Sequence, residues 1–197
     1  MAPLEISTLI LGMVVLCLAC VLIALVRQIG ILHGRIAPAG ALMINRGPAI
    51  GGRVDTLEVV DLGGRGLLIG APRADGRSTL ILFLSPTCPV CKALLPVVRS
   101  SREQERGWLD IVLASDGDPA DHRSFVREHD LRDFPYVISA ALGMSFQVSR
   151  LPFAALLDAG GLLRARGLVN SREHLESLFE AQRLGVGSLQ EYFASRA

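Results

Sequence analysis

The sequence predicts an α/β fold, a mixed central sheet flanked by helices, behind a single N-terminal apolar helix. Three observations carry this. Residues 9–26 hold no charge, two buried-strand patterns over 78–115 are each followed by an amphipathic helix, and a hairpin with a closing helix occupies 153–184. Alternating strands and helices demand parallel neighbours in the sheet, and the late hairpin adds antiparallel ones. The chain has 197 residues, 20 Lys+Arg against 19 Asp+Glu, and 50% apolar residues, a composition that excludes disorder and collagen-like repeats. A formal net charge of +1 excludes a broad nucleic-acid footprint, so no nucleic acid is expected as a partner.

Mean hydropathy is high, at +0.42, and the surplus sits at the front. From Leu9 to Val26 the chain reads LILGMVVLCLACVLIALV, and Ile6, Ser7 and Thr8 extend the uncharged span. At about 1.5 Å rise per residue such a stretch covers the ~30 Å hydrocarbon core of a bilayer. A transmembrane anchor over residues 1–27 is therefore expected. A cleavable signal peptide wants a basic segment ahead of the apolar run, whereas Glu5 stands there without Lys or Arg. The small-residue run Ala37-Pro38-Ala39 also lies well beyond Val26. Arg27, Arg35 and Arg46 follow the span, and the positive-inside rule taken alone would put the body in the cytoplasm.

Removing Glu5, Arg27 and Arg35 leaves 18 basic against 18 acidic residues, an electrically neutral body. Residues 28–53, with six glycines and two prolines, read as a tether. The folded domain is expected over 54–183, with a tail at 184–197. DTLEVVDL (55–62) predicts a strand, followed by turns at Gly63-Gly64 and Asp75-Gly76. STLILFL (78–84) is a continuous apolar run, the pattern of a strand buried on both faces and central in the sheet. Pro89 suits a first helical position, and Leu94, Leu95, Val97 and Val98 form the apolar face of that helix, with Pro96 expected to kink it. WLDIVLAS (108–115) repeats the buried-strand pattern, and Asp118-Pro119 opens a second helix. YVIS (136–139) is a short strand, and FAALLD (153–158) pairs with LLRARGLV (162–169) across Ala159-Gly160-Gly161. Ser171, with His174 three residues on, caps the closing amphipathic helix.

Strong chemical content is concentrated in Cys88-Pro89-Val90-Cys91, between a buried strand and a helix. Thiol chemistry needs a thiolate, and a helix N-terminus stabilises an anion, so Cys88 is the expected nucleophile. Cys91, one turn on, is placed to attack a mixed disulfide at Cys88 and resolve it. A structural zinc site wants four ligands, and the body offers neither a second CxxC nor a close His pair, since His122 and His129 lie seven apart. No metal is expected. Cys17 and Cys20 also form a CxxC, inside the apolar span, where cysteine behaves as a small apolar residue. A peroxiredoxin motif, with Thr or Ser three residues and Pro seven residues before the cysteine, is met at Ser85 but not at Ile81.

With this element order, the residues around Cys88 resemble the thioredoxin superfamily over about residues 54 to 183, which implies a thioredoxin-like fold. The resemblance implies that Leu151-Pro152 is a cis-proline turn packed against the CxxC, where backbone groups pair with a substrate chain. Thr87 stands where thioredoxins commonly have Trp, and Pro89-Val90 replaces Gly-Pro. These three residues tune the potential, which among related dithiols spans roughly −270 to −120 mV. Oxidant, isomerase and reductant remain open on this basis.

The anchor, the segment SPTCPVCKALLP (85–96) and the stretch from Asp133 to Ala181, which includes GLVNSREHLESLFEA, are similar to the MauD family of methylamine utilization proteins. That similarity implies an accessory protein for methylamine dehydrogenase, with the dehydrogenase small subunit as partner, a chain rich in disulfides that carries a tryptophan-derived quinone. It implies a single-pass protein of the inner membrane with its thioredoxin-like domain in the periplasm. No cofactor is expected beyond the redox-active Cys88–Cys91 pair, and the anchor suggests an integral-membrane redox partner. Two other roles stand beside this one: a thiol reductant for periplasmic cytochrome c or metal-site assembly, and a non-enzymatic chaperone of the subunit.

Overall fold

The computed structural model describes residues 9–23 and 47–184. Residues 9–23 form one helix, α1, exposed along its whole length. Among the described residues no helix is long and apolar enough to cross a membrane. The flanks of the expected anchor, tether residues 28–46 and tail residues 185–197 lie outside the described residues.

The second unit is an α/β sandwich. Its main sheet has five strands in the order β5-β4-β3-β6-β7, where β3 is Ser78–Phe83, β4 Leu109–Ser115, β5 Tyr136–Ile138, β6 Phe153–Leu157 and β7 Leu163–Leu168. The strand expected to be central is central. β3 runs parallel to β4 and antiparallel to β6, and β4 is parallel to β5. Every residue of β3 is buried, because both of its faces are covered, as a continuous apolar run demands.

The two faces carry separate cores. On one, Leu80, Leu82, Leu113 and Leu156 pack with Leu94, Leu95 and Val98 of α2 (Pro89–Gln104), Phe125 of α3 (Pro119–Glu128) and Leu175 and Phe179 of α5 (Arg172–Leu184). On the other, Ile81, Phe83, Val112 and Leu157 meet Leu142 and Phe146 at α4 (Ala140–Ser145), and Val59 and Ile69 of a two-stranded hairpin. That hairpin is β1 (Leu57–Val60) against β2 (Gly66–Ile69). Asp61 bridges to Val137, and the Leu62 N–H donates to the Tyr136 carbonyl at 2.8 Å, so the hairpin is held to the β5 edge.

The helix starts follow from their caps. Asp118 accepts the Ala120 N–H at 2.8 Å with Pro119 in the first turn, and the Ser171 hydroxyl accepts the His174 N–H at 3.4 Å. The helix α2 continues through Pro96 to Gln104, although Pro96 has no N–H to give to the Lys92 carbonyl. At the hairpin turn Gly161 has φ +77°, and a side chain there would run into the Gly70 carbonyl. Residues 51–54, on the border of the expected tether and domain, bond to the start of β7. The Gly51 N–H reaches the Leu163 carbonyl at 2.7 Å, and the Val54 N–H reaches the Gly161 carbonyl at 3.1 Å. Two elements were not expected from the sequence, β2 and α4. Each is short, with a single buried residue, so neither shows a readable period.

Candidate active site

Cys88 is the N-cap of α2, with extended backbone (φ −88°, ψ 112°) and Pro89 in the first turn. Pro89 has no N–H to lose there, and its fixed φ starts the helix, so the CP dipeptide sets where α2 begins. The Cys88 Sγ accepts the Cys91 N–H at 3.2 Å, so the unpaired donors of the helix N-terminus face that sulfur. Cys88 is half-buried, whereas Cys91 is 1% exposed. Both are free thiols.

Burial, with help from the neighbouring Cys88, pushes the Cys91 thiol up from 9.0 to about 12. The two sulfurs are thus chemically unlike. Cys88 meets solvent and can exchange with another chain, and Cys91 keeps its proton until something removes it. Thr87, Pro89 and Val90 are exposed around Cys88, and the Thr87 hydroxyl lies 3.0 Å from the Ser85 hydroxyl.

The Leu151–Pro152 peptide bond is cis. The pairing of Phe83 with Phe153 puts this turn at the sheet end from which β3 leads to Cys88. Pro152 is buried, and its carbonyl accepts the Val169 N–H at 3.0 Å. Leu151 is 37% exposed. Among the described residues nothing bonds to its backbone N–H or C=O.

Tyr136, which lies in the same core as Cys91, belongs to a buried polar group that no sequence motif marks. The Tyr136 hydroxyl is 2.8 Å from Nδ1 of His122, and Nε2 of the same ring is 2.9 Å from the Asp116 carbonyl. Ser115 donates to the Leu84 carbonyl at 2.7 Å. All three side chains are buried. In the sheet Tyr136 pairs with Leu113 and Ser115 with Ile138, so only the register and the packing of α3 bring this group together. Cys17 and Cys20 lie on α1, both exposed. Among the described residues no cluster of three His, Cys, Asp or Glu is placed to hold a metal ion.

No family profile matches the chain. Among solved structures, StoA from Bacillus subtilis is similar with TM-score 0.55 at 19% identity, covering 67% of this chain and 99% of its own. The exposed lipoprotein thioredoxin Etrx1 of Streptococcus pneumoniae gives TM-score 0.56 at 17% identity, covering 64% and 99%. These likenesses establish a thioredoxin-like fold. In sequence, the methylamine utilization protein MauD of Paracoccus denitrificans is 45% identical over 190 residues, 96% of this chain and 94% of that protein. MauD of Methylorubrum extorquens is 42% identical over the same share of this chain and 92% of its own. With identity of this level running from the N-terminal apolar segment through the CxxC to the closing helix, the chain belongs to the MauD family of methylamine utilization proteins.

Proposed function

We propose that this protein is a membrane-anchored thiol–disulfide oxidoreductase or isomerase that matures the small subunit of methylamine dehydrogenase, by forming or rearranging its disulfides, in methylamine metabolism. The observation that carries this reading is the inequality of the two thiols, an accessible Cys88 at a helix N-terminus and a buried Cys91 held protonated one turn away. Membership in a family whose relatives are named for methylamine utilization supplies the context.

In the oxidising direction a subunit thiolate attacks Cys88 of the Cys88–Cys91 disulfide, and Cys91 leaves. A second subunit thiolate then attacks the mixed disulfide, so the subunit gains a disulfide and the pair ends as two thiols. An integral-membrane redox partner re-oxidises it. In isomerisation Cys88 attacks a wrong disulfide, and the freed subunit thiolate attacks elsewhere in its own chain. The unengaged N–H and C=O of Leu151 pair with the subunit backbone as an added strand, with Pro152 fixing their direction. Thr87, Pro89 and Val90 surround the exchanging sulfur and tune its potential.

The apolar helix α1, with no charged residue and every side chain exposed, supports the anchor. Persistent disulfides need an oxidising compartment, so we place the domain in the periplasm although Arg27, Arg35 and Arg46 follow the span. Replacing Cys88 with Ser should abolish active dehydrogenase, and Cys91→Ala should trap the small subunit as a mixed disulfide. Normal dehydrogenase activity in a Cys88→Ser strain would sink the proposal. A reporter fused after Ala197 and active only outside the cytoplasm fits the proposed orientation, and activity only inside refutes it.

A further inference from the structure

Away from the dithiol, the domain separates its charges. Residues 47–184 carry 16 basic and 17 acidic side chains, so the domain as a whole is close to neutral. Two adjoining cavities, joined at Arg65, nevertheless hold eight of those basic side chains, all arginines, and only three of the carboxylates, Asp61, Asp110 and Asp133. A neutral domain with half of its basic residues on one face sets up a local positive field, which draws anionic partners to that face alone.

The first cavity, of about 280 Å³, lies between α3 and the turn that joins β1 to β2. Exposed Arg65, Arg123, Arg127 and Arg132 stand around buried Phe134 and Tyr136. Arg65 is held by Asp61 at 2.8 Å, and that carboxylate is fully engaged, since it also accepts the N–H groups of Gly63 and Arg65. Among the described residues the side chains of Arg123 and Arg132 form neither an ion pair nor a hydrogen bond, and Arg127 donates only to the Ser124 hydroxyl, at 3.1 Å. Three guanidinium groups with no carboxylate of this domain against them therefore border an aromatic lining.

The second cavity, of about 410 Å³, continues from Arg65 to the end of the sheet where β3 and β4 begin. Here Arg73 and Arg77 share Asp110, each at 2.6 Å, and Arg73 also holds Asp75. Arg102 pairs with Asp133 at 3.8 Å and lies 4.9 Å from the centroid of the Phe134 ring. The Arg106 side chain forms no ion pair among the described residues. Cys88 follows the other end of β3, whose six residues rise about 3.3 Å each, so this cavity and the dithiol stand at opposite ends of the strand.

We propose that this face binds an acidic segment of a partner protein, with one apolar side chain of the segment in the first cavity and its flanking carboxylates on Arg123, Arg127 and Arg132. Guanidinium groups take carboxylates through two parallel hydrogen bonds, and an apolar group gains by leaving water for the aromatic lining. The continuation past Arg65 to Arg106 suits a chain that runs on, whereas a small anion would use the first cavity alone. A bilayer surface is flat and presents nothing to fill a concave wall lined by Phe134 and Tyr136. A partner held here leaves Cys88 open, and the binding does not depend on thiol exchange.

The test uses the full-length chain in phosphatidylcholine nanodiscs and a fluorescein-labelled peptide, Glu-Glu-Phe-Glu-Glu, read by fluorescence anisotropy. The parent should bind it, and should not bind Lys-Lys-Phe-Lys-Lys. Binding should weaken at least about tenfold when Arg123→Glu and Arg132→Glu are combined, and stay within about twofold of the parent in Arg150→Glu, an exposed arginine beside the Leu151–Pro152 turn. Arg123 and Arg132 are exposed and unpaired, so the double variant should keep its circular dichroism, and its thiols should react with 5,5′-dithiobis(2-nitrobenzoate) within about twofold of the parent rate. No binding by the parent, equal binding by the double variant, or an equal loss in Arg150→Glu overturns the proposal. Equal affinity for Glu-Glu-Ala-Glu-Glu overturns the role of the cavity. Displacement of the peptide by an equal concentration of phenylacetate marks a small organic anion as the ligand, and loss of binding in nanodiscs made with phosphatidylglycerol marks the bilayer. Either result overturns the protein partner.

Discussion

Alkylation of the reduced chain measures the inequality of the two thiols directly. Cys91 is 1% exposed, and burial moves its thiol from 9.0 to about 12. At any pH below 9 its thiolate is then about 1,000-fold scarcer than that of an ordinary cysteine, since each pH unit is a factor of ten. Only the thiolate alkylates, and access to the sulfur slows it further. Full-length protein treated with iodoacetamide near pH 8, quenched over time and read by peptide mass spectrometry, should show Cys88 modified at least about 100-fold faster than Cys91. In a Cys88→Ser variant Cys91 should remain slow, because burial is the larger cause and Cys88 the smaller. Modification of Cys91 within about tenfold of Cys88, in protein whose circular dichroism is native, would refute the reasoning. The same shift has a consequence for stability. The folded state holds the Cys91 proton more tightly than the unfolded chain, so stability should fall as pH rises from 9 toward 12.

Two further outcomes follow from other parts of the fold. Asp118→Ala removes the acceptor for the Ala120 N–H at the start of α3, and should cost about 1 kcal/mol in urea unfolding, with Asp118→Asn close to the parent; equal midpoints for all three would show that the cap contributes nothing. The Arg77 guanidinium, and after it Arg73, holds Asp110 below its usual 3.8, and the Arg73 side chain lowers Asp75 to about 2. Both carboxylates are depressed in the folded state, so their stabilisation is present above 3.8 and lost as pH falls toward 2. Asp110→Asn should flatten the acid limb of a thermal-melt series, and an unchanged limb would argue that this cluster is silent.

The hairpin β6–β7 and helices α2, α3 and α5 were legible because each is long enough to show its period and carries a local start signal, Pro89, Asp118-Pro119 or Ser171. β2 and α4 were not. GLLI and AALGMS are too short for a period, and each is stabilised by partners far off in sequence, Ile69 and Leu142 both packing into the second core. The site divides the same way. Cys88 and Cys91 announce themselves by spacing and by standing at a helix start. His122 carries no such mark, since on its own helix it sits between Asp121 and Arg123 on what reads as a polar face.

What the sequence determined by itself was the α/β class, the central strand, the dithiol and the apolar N-terminal segment, because each rests on residues close along the chain. Periodicity, caps and a CxxC are local facts, and physics close to the backbone converts them into structure. The tertiary structure decided which thiol is buried, where the Leu151–Pro152 turn lies relative to β3, and that Tyr136, of the same core as Cys91, meets His122. Those are consequences of register. Pairing Leu113 with Tyr136 and Phe83 with Ala114 brings together strand ends separated by tens of residues, and the burial this creates makes one of two adjacent thiols hold its proton.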